Sequence, residues 1–138
     1  MVFFLCDIST QTQILKTRMV ISSLELKYCR LDFFEHYVIL MMHEGSRLTK
    51  VVNEEILEQL EGHYGQQGFI LISNRVHAYE IDLDIYKGKV LKNMKGFAVV
   101  SKNPEEVKRA NIEQSLWRKS FVFFEDINEA TDWAKSFF

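Results

Sequence analysis

Three short apolar runs, Phe69–Ile72, Gly96–Val100 and Phe121–Phe124, are each separated from the next by enough residues for a helix. No other feature of the 138 residues constrains the fold as strongly. Short runs that are apolar at nearly every position suit strands covered on both faces. Strands that alternate with helices imply parallel neighbours joined by crossover connections.

The helical stretches carry their own signals. From Thr49 to Tyr64, Val52, Ile56 and Leu60 recur at spacing four, with Glu54, Glu55, Glu58 and Glu61 mostly off that stripe. This is an amphipathic helix whose early carboxylates suit the positive end of its dipole. Asp82 to Leu91 reads as a further helix, with Asp82 as its cap. Asn103, Pro104 and Glu106 supply an N-cap, a first helical position and a capping-box side chain for a helix reaching Trp117. Asp126 and Glu129 repeat the box, ahead of a face made by Ile127, Ala130, Thr131, Ala134 and Phe137.

Upstream, Leu24, Leu26 and Tyr28 alternate with Glu25 and Lys27, the period of a half-buried strand running to Arg30. Asp32 to Glu35 gives a turn region, and Tyr37 to Met42 a second strand, so the pair reads as an antiparallel hairpin. The element order ββαβαβαβα predicts an α/β fold with a mixed sheet of about five strands, the hairpin followed by βαβαβα crossovers. One domain is expected over 19–138. Residues 1–18 read as an N-terminal extension.

Composition narrows the function. A net charge of −2 argues against nucleic acid, which needs a concentrated positive field. Between Ile85 and Pro104 there is no acidic residue, while Lys87, Lys89, Lys92, Lys95 and Lys102 are present. A solvated lysine face explains this most simply, and an anion-attracting patch is the alternative. Cys6 and Cys29 have no metal or redox spacing. No run approaches the ~18 apolar residues of a membrane span. A cytoplasmic location is expected, with no cofactor.

The strings ISNRVHAYEIDLDIY (72–86), GFAVVS (96–101) and FVFFEDINEATDWAKSFF (121–138) resemble the SpoIIAA-like group of STAS-type domains. More narrowly, they resemble the short stand-alone members labelled STAS/SEC14-type that are common in Bacteroidetes. The likeness spans about Leu24 to Phe138. It implies a STAS-like α/β fold and a non-enzymatic, regulatory role between proteins. The anti-sigma-factor antagonists of this group carry a phosphorylatable Ser or Thr after a central strand. Here Tyr79 to Ile85 holds no hydroxyl except the Tyr79 phenol, so that switch is not implied for this chain.

Ser73, Asn74, Arg75, His77 and Tyr79 follow a central strand, the edge where open α/β sheets bind ligands. Arg75 can fork onto a carboxylate or phosphate, with Ser73 and Asn74 assisting. The plainer alternative is that Ser73 and Asn74 satisfy turn backbone while Arg75 pairs with a nearby carboxylate. Ser73 lacks the flanking glycines of a nucleophile elbow, so Ser73 and His77 do not read as nucleophile and base. Glu80, Asp82 and Asp84 fail the calcium-loop pattern at its sixth and twelfth positions. No histidine has zinc spacing, and no metal site is expected. Trp133 falls off the apolar stripe of its helix, which makes it, with Phe138, a candidate partner surface.

The resulting expectation is a non-catalytic STAS-like interaction or regulatory module whose partner is another protein, a second copy of itself included. The alternative is a domain for a small lipid or anionic ligand, bound by the loop after the central strand.

Overall fold

The computed structural model describes residues 20–138. The 1–18 extension and the domain start near Met19 therefore lie outside the described residues. Eight strands and three helices follow in order. They are β1 (Ser22–Glu25), β2 (Cys29–Phe33), β3 (Tyr37–Met42), β4 (Arg47–Leu48), α1 (Lys50–Tyr64), β5 (Phe69–Asn74), β6 (Glu80–Ile81), β7 (Met94–Val100), α2 (Pro104–Leu116), β8 (Ser120–Phe124) and α3 (Ile127–Lys135). A 3-10 turn at Leu83–Lys87 lies between β6 and β7.

Six strands form one sheet in the order β1-β2-β3-β5-β7-β8. β1, β2 and β3 are antiparallel, and β3, β5, β7 and β8 are parallel. This is the expected mixed α/β sheet, with one strand more than the predicted five. The stretch 24–30 is not a single strand. The chain turns back at Leu26–Tyr28, where Leu26 N–H donates to the Cys29 carbonyl at 2.8 Å, and the opening hairpin becomes a three-strand meander. Alternation alone cannot show that turn, because both halves keep a period of two.

Side chains leave the sheet alternately. Val38, Leu40, Phe69, Leu71, Phe97, Val99 and Phe121 face α1, the 3-10 turn and α2 in the larger core. Tyr37, Ile70, Ile72, Ala98 and Val100 face Ala130 and Ala134 of α3. Gly96 permits that second contact: a Cβ there would lie 3.1 Å from both the Trp133 ring and the Ile70 side chain.

Local chemistry departs from expectation in three places. In α1 no carboxylate falls in the first turn, and the Thr49 side chain caps it by accepting from Val52 N–H at 3.2 Å. The predicted helix over 82–91 shrinks to the 3-10 turn, which ends at Gly88. Asp82 does not cap it through its side chain, because its carboxylate takes Arg47 Nε at 2.8 Å instead. Likewise Asn103 caps α2 through Glu105 N–H at 3.0 Å, but the Glu106 carboxylate turns to arginines instead of closing a box. Among the described residues no helix is long and apolar enough to cross a membrane.

Candidate functional site

A buried charge cluster sits where β5 ends. Arg75 has a side chain only 1% exposed, and Glu113 on α2 is fully buried beneath it. The guanidinium meets the carboxylate with two bonds, Nη1 to Oε2 at 2.5 Å and Nη2 to Oε1 at 2.6 Å. Arg75 Nη1 also donates to Glu106 Oε2 at 3.2 Å. Arg109 donates to the same Glu106 oxygen through Nε at 3.0 Å and to the Tyr79 carbonyl through Nη1 at 2.7 Å. The Tyr86 hydroxyl donates to Glu113 Oε1. Ser73 Oγ accepts from Arg75 Nε at 3.3 Å and lies 3.3 Å from the Tyr79 hydroxyl. The Tyr79 ring is flanked by the Arg75 and Arg109 guanidiniums, 6.0 and 4.9 Å from its centroid.

Two guanidiniums and two carboxylates make this cluster electrically closed. Burial disfavours the charged form of Arg75, but its bonds to Glu113 outweigh that and raise its pKa above the ordinary guanidinium value. Burial and the adjacent Glu113 carboxylate push the Tyr86 phenol up, so it stays protonated and donating. Burial raises Tyr79 as well, against the pull of Arg75 and the Ser73 hydrogen bond. A buried charge left unpaired would cost several kcal/mol, roughly the scale that makes such matching obligatory.

An apolar cleft adjoins the cluster. Leu40 and Leu71 from the sheet, Ile56 and Leu57 from α1, and Leu91, Met94 and Phe97 form its walls. Ser73, Arg75, Tyr86 and Glu113 close one end, and Asn53, Lys89, Val90 and Trp117 are also part of the lining. The cleft is open at its mouth and narrow inside. Protein cores are packed to the density of organic crystals, so an opening of this kind beside a close-packed sheet is a distinctive feature.

Of the residues singled out in the sequence, the structure brings Ser73, Arg75 and Tyr79 together in the cluster. Asn74 is the last residue of β5 and lines a depression with Arg75, Ser101 and Asn103, outside the cluster's hydrogen bonds. His77 is exposed, with Nδ1 3.6 Å from a Glu44 carboxylate oxygen. Trp133 is half-buried over Gly96 and packs edge-on against Phe137, with ring centroids 5.0 Å apart. Phe138 is 51% exposed and stacks on His36. Among the described residues no three His, Cys, Asp or Glu side chains group as metal ligands.

Sequence reasoning missed Glu113, Arg109 and Tyr86, and assigned Glu106 to a cap. A signal existed. Glu106, Arg109, Ala110, Glu113 and Trp117 recur at helical spacing, so they share one side of α2. That side faces the core, while Val107, Ile112 and Leu116 lie exposed at 38, 52 and 41%.

No family model matches the chain, and a search of curated proteins returns no relative. Among solved structures the chain is similar to an uncharacterized protein of the DUF3478 family with a SpoIIAA-like fold from Shewanella loihica PV-4. The TM-score is 0.55 at 16% identity, over 82% of this chain and 98% of that one. An antiparallel opening, a parallel remainder and helices on both sides thus take a known form: the chain has a SpoIIAA-like α/β fold.

Proposed function

We propose that this is a non-catalytic binding domain that takes a slender apolar ligand into the cleft between the sheet, α1 and the segment leading into β7. One observation carries this reading: the cleft is walled by aliphatic and aromatic side chains and ends on polar groups already matched to one another. Small-molecule sites are characteristically concave and mostly apolar, with a few convergent polar groups. Arg75 is thereby a wall of the site and not its anion receptor. The module for a protein partner, foremost in the sequence reading, keeps support from the exposed Phe137 and Phe138 at 39 and 51%.

The test is calorimetric titration with 1-decanol, alongside native mass spectrometry of protein purified without detergent. Wild type is expected to bind the alcohol. Leu57→Trp, which fills the cleft from α1, is expected to weaken binding on the order of tenfold or more at unchanged fold, judged by circular dichroism. Equal binding by both proteins, or by neither, would remove the cleft as a site.

A further inference from the structure

A second, open groove adjoins the cleft, lined by Leu83, Lys87, Leu116 and Arg118 among others. Tyr86, Val90 and Trp117 line both spaces, so the two share a wall. Leu83, Val90 and Leu116 are 40, 44 and 41% exposed, which gives the groove an apolar edge. Its charge is positive. Lys87, Arg118 and Lys119 line it against one acid, Asp84, which lies 3.6 Å from Lys87. Lys119 is committed elsewhere, its ammonium donating to the carbonyls of Leu91, Lys92 and Met94 at 3.1, 3.2 and 3.0 Å. Arg118 makes no ion pair among the described residues.

The polar end of the cleft and the adjoining groove differ in what they can accept. At the polar end, Arg75 is matched bidentately to Glu113, and the cluster has no surplus positive charge. An anion placed there would lose its hydration beside a buried carboxylate and gain no free counter-charge. In the groove, positive charge is in surplus and partly solvated. The Trp117 indole N–H, in the wall common to both spaces, is buried and has no acceptor.

We propose that the ligand is a single-chain amphiphile with an anionic head, its tail in the cleft and its head in the groove at Lys87 and Arg118. This rests on the cleft being a ligand site and adds the chemistry and direction of what enters it. A carboxylate and a phosphate head share the required charge and acceptor oxygens.

Decanoate, decyl phosphate and 1-decanol, which share a ten-carbon tail, separate the two claims by calorimetry. Wild type is expected to bind both anions on the order of tenfold more tightly than the alcohol. That preference is expected to fall as salt rises from about 0.05 to about 0.5 M. Lys87→Glu/Arg118→Glu is expected to abolish the preference and leave 1-decanol binding unchanged. Arg118→Gln, a milder surface change, is expected to lose part of it. Whichever anion binds more tightly assigns the head group. Equal affinity for all three probes, or a preference that survives charge reversal, overturns this proposal while the cleft stands. Failure of 1-decanol to bind wild type removes the cleft itself, and this proposal with it.

Discussion

α1 and α2 pack on the same face of the sheet and are built on opposite plans. α1 turns Val52, Ile56, Leu57, Leu60 and Tyr64 inward and its glutamates outward. α2 turns Glu106, Arg109 and Glu113 inward, with only Ala110 as a buried apolar residue, and leaves Val107, Ile112 and Leu116 in solvent. The hydrophobic effect accounts for α1 without further help, because each fully buried aliphatic side chain contributes roughly 1.5–3 kcal/mol. α2 has little such surface to bury and is held to the sheet by matched charges reaching from Arg75. The difference shows why the cleft lies where it does. Two oily helices would close over the sheet, whereas a polar one beside an oily one leaves an apolar gap with a polar end.

Three single substitutions and one double test this contrast. The largest effect is expected from Arg75→Ala, which strands Glu113 without its partner and should cost about 3–5 kcal/mol in chemical denaturation. Arg75→Met/Glu113→Leu should recover most of that loss, since replacing a buried ion pair by apolar residues of similar volume is often close to neutral. If the single substitution proves mild, α2 is not anchored by charge. Next comes Leu60→Ala in α1, fully buried in the wild type, with an expected loss of about 2–5 kcal/mol from transfer and cavity terms. Both helices are then comparably held by unlike means. The smallest is Ile112→Gln on the outward side of α2, expected within about 0.5 kcal/mol of wild type. A larger loss would mean that this exposed apolar side is covered in solution.

The same contrast explains what the sequence made legible. α1 and the parallel strands follow the ordinary rule that apolar periodicity marks the buried side, and their limits emerge within a residue or two. Tyr37–Met42 coincides with β3, and Thr49 does stand at the helix start. α2 was located by its cap and proline, signals indifferent to which side is buried. Its inward charges therefore went unassigned, apart from Glu106, which was given to the cap. Arg75 was visible as a loop cation, but its partner lies 38 positions away on a helix whose inward side is mostly charged, so apolar periodicity does not mark it. The fold was set by local, repeated preferences. The cluster depends on one long-range pairing, which leaves no repeating trace.

The two layers flanking the sheet also differ in their tolerance of change. Beneath it, Gly96 brings α3 close to the strands, and a methyl group added there would press on the Trp133 ring at 3.1 Å. At Gly96 there is nothing to trim, and enlargement there would press on the terminal helix. The layer above has slack. Variation in bulk, such as a longer cargo or a larger side chain, can thus be absorbed on only one side of this domain, and the C-terminal helix fixes which side that is.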